Sequence, residues 1–143
     1  MIVAAVLGVS AAAHAQPRAA DIRGDIQGAW RFETGPHPSS GCVLRGDAVV
    51  GPARGGKHVV QIEVTQHCGA DTPYKARERC EATTTGAAVR MTCVVVSSET
   101  GGYQPDSFDL TRGAPGVMTG RLVDTGVWNV PVTWRRPSAA LVS

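Results

Sequence analysis

The placement of cysteines around one turn constrains the fold of this 143-residue chain more than any other feature. The stretch RCEATTTGAAVRMTC, residues 79–93, sets Cys80 and Cys93 at equal distances from a Gly86-Ala87 centre. Glycine at the first central position favours a type II′ hairpin turn, because that position needs a positive φ. Counting outward, the two cysteines face each other in a non-hydrogen-bonded pair, where Cα atoms approach to about 4.5 Å. The stretch therefore predicts a cross-strand disulfide.

Counting residues outward from a turn also pairs the other two cysteines. If Val50 pairs with Val60 across the intervening turn, Cys42 meets Cys68 in the same register. An even number of cysteines in a small exported domain favours disulfides, each stabilising by about 2–4 kcal/mol. A zinc site is the alternative, but the chain has no C-x-x-C or H-x-x-x-H spacing. We predict the disulfides Cys42–Cys68 and Cys80–Cys93, and no metal.

Alternating apolar and polar residues predict strands along the whole mature chain. In HVVQIEVTQ, for example, Val60, Ile62 and Val64 share one face. The predicted strands are 29–34, 41–50, 58–67, 77–85, 88–97, 106–112, 116–124 and 127–135. Consecutive hairpins over eight strands indicate an all-β fold, an antiparallel up-and-down barrel without exposed edges.

Two details concern the last hairpin. The sequence VDTGV predicts a three-residue turn with Gly126 in the left-handed region, which pairs Leu122 with Trp128. Pro131 cannot donate a ladder hydrogen bond, so we expect a bulge or an unpaired stretch there. Because of this interruption, a β-sandwich stays open as the alternative architecture.

The N-terminal segment 1–15, MIVAAVLGVSAAAHA, has the apolar run and A-x-A ending of a secretory signal peptide. A buried N-terminal helix is the alternative, and the run is shorter than the roughly 20 residues of a transmembrane helix. We predict a signal peptide (1–15), an N-terminal lead (16–27), a barrel domain (28–137) and a C-terminal tail (138–143). Twelve arginines against two lysines suggest codon bias from a GC-rich genome. Together with the signal peptide, this bias predicts a bacterial protein that is periplasmic or secreted.

Charge and motifs bound the function. The net charge is only +2 and the charges are scattered, which disfavours nucleic-acid and membrane partners. Nucleophile-elbow, phosphate-loop and zinc-protease motifs are missing. Asp106 and Asp109 are three residues apart on one strand, so they face opposite sides and do not form an acid–base pair. The sequence predicts a non-enzymatic module without cofactor that binds a small apolar ligand or a protein; a structural envelope role is another possibility.

The barrel interior is the candidate ligand site. Eight strands enclose a lumen that is either filled by side chains or wide enough for one small ligand. The candidate lumen contacts are Ile62, Met91, Phe108, Met118 and Trp128.

The tripeptide Gly28-Ala29-Trp30 resembles the G-x-W motif that opens the first strand of lipocalin-like barrels, the calycins. In that family the tryptophan closes one barrel end and packs against a basic residue from the last strand. The resemblance implies this role for Trp30, with Arg136 as its cation–π partner.

Together with Cys42-Val43-Leu44 and Cys68, the motif is similar to bacterial inhibitors of secreted metalloproteases. The similarity covers the first half of the mature chain. It implies an eight-stranded periplasmic barrel whose N-terminal segment enters a protease cleft. The residues implied in protease binding are Gln16, Pro17, Arg18, Ala19, Ala20 and Asp21.

Overall fold

A computed structural model of the chain describes residues 26–124 and 128–137. In these residues eight strands close into one antiparallel barrel whose strand order is the sequence order. The strands are β1 (Gly28–Thr34), β2 (Val43–Val50), β3 (Lys57–His67), β4 (Tyr74–Thr85), β5 (Ala88–Ser98), β6 (Asp106–Arg112), β7 (Val117–Asp124) and β8 (Asn129–Arg135). The predicted all-β up-and-down barrel is therefore confirmed, and the sandwich alternative is wrong.

The disulfides and their registers follow the prediction. Cys80 pairs with Cys93 between β4 and β5 and the two are bonded. Cys42 and Cys68 form the second disulfide, just beyond the β2–β3 ladder. Gly86 has a φ of 59°, as the two-residue hairpin requires. Both pairs join strands that are neighbours in sequence, so local strand pairing alone brings the thiols together.

The β7–β8 register differs from the prediction by two residues. Leu122 pairs with Val130 rather than with Trp128. Asp124 instead faces Trp128, whose backbone N–H donates to the Asp124 carboxylate at 2.9 Å. The side chain of Asp124 thereby moves the centre of the connection forward by one residue. Trp128 lies before β8, half-buried at the barrel rim, and the predicted conformation of Gly126 lies outside the described residues.

Pro131 causes no bulge against β7, because the β7–β8 register runs unbroken through its pairing with Arg121. The missing donor lies on the β1 side. There the ladder ends at Thr34–Val132, and the Pro131 carbonyl accepts a hydrogen bond from the backbone N–H of Gly35 at 2.8 Å. The proline thus sits where its lack of an N–H costs one ladder bond at the end of the shortest seam. This β1–β8 seam comprises four residue pairs, from Arg31–Arg135 to Thr34–Val132.

The barrel interior is filled by side chains that form one contiguous apolar cluster. Its centre is aromatic: Phe32 stacks on Trp134 with ring centroids 5.0 Å apart, and Phe108 meets both rings edge-on. Gly46 makes room for this centre, since a Cβ there would lie 2.1 Å from the Phe32 ring. A ligand in the lumen would have to displace these rings.

One barrel end, which we call the plugged end, carries the loops 51–56, 86–87 and 113–116. The indole N–H of Trp30 donates to the Ile26 carbonyl at 2.7 Å. The Arg136 guanidinium lies 4.2 Å from the Trp30 ring centroid, so the predicted cation–π contact is present. These groups close this end of the barrel.

On the outer face, charged residues of neighbouring strands pair across the ladder, for example Arg31 with Asp47 at 3.1 Å and Arg90 with Asp109 at 3.0 Å. Such exposed pairs contribute little stability each. No helix long and apolar enough to cross a membrane occurs between residues 26 and 124 or between 128 and 137.

Candidate functional site: a buried acid pair at one barrel end

The end opposite the plug carries the loops 35–42, 68–73, 99–105 and 125–128, and we call it the acidic end. Two carboxylic acids are buried there, Glu78 on β4 and Asp106 at the start of β6, each 2% exposed. Both have the inward parity of the core residues Cys80 and Phe108 two positions further along. We call Glu78 and Asp106 the acid pair.

A divergence of two strands creates the space for the acid pair. The β5–β6 ladder ends at Thr92–Ser107, although β5 continues to Ser98. The β4–β5 register also shifts between Arg77 and Glu78, which places an extra residue in β5. With β5 turned away, the backbone N–H of Asp106 has no ladder partner and donates to Glu78 Oε1 at 2.8 Å. The Glu78 side chain thus supplies the hydrogen-bond acceptor that a neighbouring strand would otherwise provide.

The oxygens of the acid pair differ in their hydrogen bonds. Asp106 Oδ2 accepts from the Tyr103 hydroxyl at 2.7 Å. Glu78 Oε2 is buried and receives no hydrogen bond from any described group. The two carboxyl groups lie within hydrogen-bonding reach of each other. Since an unpaired buried carboxylate oxygen is costly, a proton shared between the two carboxyl groups lowers the cost of burying them.

The electrostatics agree with a shared proton. Burial, and next the charge of Asp106, raise the pKa of Glu78 from 4.5 to about 9. Burial also raises the pKa of Asp106, while the hydrogen bonds from Glu78 and Tyr103 act in the opposite direction. Burial and the nearby carboxylate raise the pKa of Tyr103 as well, so its hydroxyl stays a donor. At neutral pH Glu78 therefore keeps its proton.

A polar chain connects the acid pair to the rim. The ring of Tyr74 packs edge-on against Tyr103 with centroids 6.2 Å apart. Its hydroxyl donates to Gln66 Oε1 at 2.7 Å, and the Gln66 amide contacts the sulfur of Cys68 at 3.1 Å. Both tyrosines are only partly buried, so aromatic surface covers the acids and reaches solvent.

The acid pair lacks a protein cation. No lysine or arginine is buried in residues 26–124 or 128–137, where the buried polar side chains are Thr34, His37, His58, Glu78 and Asp106. Asp124, directly opposite Asp106 in the β6–β7 ladder, adds a further negative charge that raises the pKa of Asp106. Two adjacent buried acids of this kind can give up a proton when a cationic group takes its place.

The predicted lumen residues fall into two sets. Ile62, Met91, Phe108 and Met118 are buried in the apolar cluster, whereas Trp128 is half-buried at the rim. The Trp128 ring meets His37 edge-on, with centroids 4.6 Å apart. Trp128 thus belongs to the acidic end and packs against the apolar cluster from the rim. The predicted protease-binding residues Gln16 to Asp21 lie outside the described residues.

The sequence analysis missed the acid pair, although strand parity could have found it. Cys80 points inward, so Glu78, two residues earlier, points inward too. The same step from Phe108 leads to Asp106. From the sequence, only Asp106 and Asp109, three residues apart, were considered as an acid–base pair. The pairing of Glu78 with Asp106 depends on the β5–β6 divergence, which leaves no local sequence signal.

Comparisons with known proteins support the fold. The chain matches no protein-family model and no curated protein. Among solved structures it is similar to a de novo designed fluorescence-activating β-barrel, with 16% identity and a TM-score of 0.56. The alignment covers 82% of this chain and 98% of the designed chain. At this identity the likeness concerns the barrel architecture alone, and the two disulfides indicate an oxidising compartment.

Proposed function

We propose that this protein is an exported, non-enzymatic barrel that binds a small ligand at its acidic end. The observation that carries the proposal is the buried acid pair with an unpaired Glu78 Oε2, covered by partly exposed aromatic rings. Ligand sites combine an apolar, aromatic wall with a few convergent polar groups, and this end of the barrel has that composition.

The rest of the described barrel interior has no room for a ligand, which favours a ligand site at the acidic end. The lumen centre is filled by Phe32, Phe108 and Trp134, and the opposite end is closed by Trp30 under Arg136. At the acidic end the 99–105 loop places Tyr103 on Asp106, and in this proposal that loop moves to admit the ligand. That loop carries Gly101 and Gly102 immediately before Tyr103, and a Cβ added at either glycine would meet no atom within 4 Å.

Ligand screening with residue-level readout tests the proposal. The purified oxidised domain is titrated with small neutral, anionic and cationic compounds, and amide chemical shifts are followed by NMR. We expect the shifts to cluster at Tyr74, Tyr103 and Trp128. Shifts confined to the plugged end or to the aromatic centre, or no saturable shift from any compound, would refute this placement.

A pair of variants controls for unspecific effects. Tyr103→Ala removes an aromatic wall and should weaken binding by about twofold to tenfold, the range for one aromatic contact. Val96→Ala, at a 65% exposed position on the outer face of β5, should leave affinity unchanged. Equal losses in both variants would indicate a general destabilisation.

Inhibition of a secreted metalloprotease is a second candidate function. It is supported by the sequence resemblance, the Cys42–Cys68 disulfide and the contact of Arg136 with Trp30. Deleting residues 16–21 should abolish inhibition of a secreted zinc protease while leaving small-ligand affinity unchanged. Lack of inhibition by the intact protein at micromolar excess would rule this candidate out.

A further inference from the structure

We propose that the acid pair binds a cationic nitrogen group, a primary ammonium or a guanidinium, in exchange for the proton held by Glu78. This inference rests on the proposed ligand site and names the chemical class of its ligand. The exchange breaks the Glu78 O–H bond, releases H⁺ to solvent and leaves two carboxylates facing one ligand cation. Charge balances, because one positive charge enters as another leaves.

The charge environment carries the first part of the argument. Buried charges in proteins are normally neutralised by a partner. Here Asp124 on β7 and Tyr103 in the 99–105 loop act on Asp106, and Asp106 in turn acts on Tyr74. None of these groups is cationic, so a carboxylate formed by loss of the Glu78 proton would be neutralised by a cation from outside.

Hydrogen-bond geometry carries the second part. The free acceptor is Glu78 Oε2, and Asp106 loses its acceptor bond from Glu78 once the proton departs. An N–H donor between the two carboxylates would satisfy both oxygens. Charge-assisted bonds of this kind are about twice as strong as the bonds that a neutral hydroxyl donates. The aromatic rings of Tyr74 and Tyr103 can further stabilise a cation at their faces.

The donor set favours an organic cation over a metal ion. No cluster of three or more histidine, cysteine, aspartate or glutamate side chains able to hold a metal occurs in the described part of the chain. Glu78 Oε1 is also held by the backbone N–H of Asp106, which limits its use as a metal ligand. Calcium therefore serves as a competing probe in the experiment.

Proton-linked binding of benzylamine tests the inference. Benzylamine and its neutral analogue benzyl alcohol are titrated at pH 7 into unbuffered protein with a pH indicator, and binding is read from NMR shifts. We expect benzylamine to bind at least about tenfold more tightly, with about one proton released per molecule bound. Calcium chloride should neither compete nor release protons.

Variants separate the site from general charge effects. Glu78→Gln mimics the protonated glutamate, because its amide can accept from the Asp106 N–H and donate to the Asp106 carboxylate. It should fold, abolish proton release and weaken benzylamine roughly tenfold or more. Asp109→Asn removes an outward carboxylate from β6, the strand that carries Asp106. This variant should change neither the proton release nor the affinity for benzylamine.

Each outcome decides the question. Equal affinity for benzylamine and benzyl alcohol without proton release would overturn the cation exchange and leave the ligand site standing. Stronger binding of calcium would replace the organic cation by a metal. Absence of benzylamine binding, while other compounds still shift Tyr103, would overturn the ligand class; absence of all shifts there would overturn the proposed function as well.

Discussion

Replacing Glu78 by glutamine should remove the part of the pH dependence of stability that comes from the proton on the Glu78 carboxyl group. With a pKa raised to about 9, the folded protein keeps a proton that the unfolded chain loses near 4.5. Between these values the folded state binds one proton more than the unfolded state. The free energy of unfolding therefore decreases as pH rises, by about 1.4 kcal/mol per pH unit.

The magnitude follows from the number of protons alone as long as pH stays inside this window. Between pH 6 and pH 8 the wild-type protein should lose about 2.7 kcal/mol of stability through Glu78. The Glu78→Gln variant keeps both hydrogen bonds to Asp106 without an ionisable proton, so its stability should not show this loss. The variant should exceed the wild type most clearly at pH 8.

The assay is urea unfolding of the oxidised proteins at pH 6, 7 and 8, followed by tryptophan fluorescence. Asp109→Asn, in an exposed ion pair with Arg90, serves as the control and should keep the wild-type slope. If the pH profiles of wild type and Glu78→Gln run parallel, Glu78 is ionised in the folded protein, and the shared proton does not exist.

Further predictions concern packing and crosslinks. Gly46→Ala should destabilise severely, since its Cβ would overlap the Phe32 ring; adding Phe32→Leu should recover part of the loss, as denaturation midpoints would reveal. Replacing Cys80 and Cys93 by alanine should lower the unfolding free energy by about 2–4 kcal/mol, and an unchanged value would contradict a constraining role. Arg136→Met should cost about 0.5–2 kcal/mol through the lost cation–π contact, again measured by urea unfolding.

The sequence predicts the barrel well because its determinants are local. Turn glycines, strand parity and equal cysteine spacing are signals that lie within single hairpins. An up-and-down barrel consists of such hairpins between neighbouring strands. The error at the last hairpin has a local cause as well: the Asp124 side chain bonds the Trp128 N–H and shifts the turn centre, a choice that the sequence VDTGV does not reveal.

The candidate site is less accessible to sequence reasoning, because it arises where the regular pattern stops. Glu78 reads as one member of an alternating strand flanked by Arg77 and Arg79. Its meeting with Asp106, 28 residues further on, needs the extra residue in β5 and the early end of the β5–β6 ladder. This irregularity brings the two distant side chains together. Strand parity predicts that each points inward, but it does not predict which side chain each one meets.

The disulfides leave the barrel without a covalent link at its seam. Their thiols are separated by 26 and 13 residues, and each disulfide links the two strands of one hairpin. By contrast, β1 meets β8 through four residue pairs about a hundred positions apart. Oxidation can therefore be completed on an open, curled sheet, before the terminal strands find each other. Ring closure should then be the slow event of folding, and amides of β1 and β8 should be the first strand amides to exchange with deuterium.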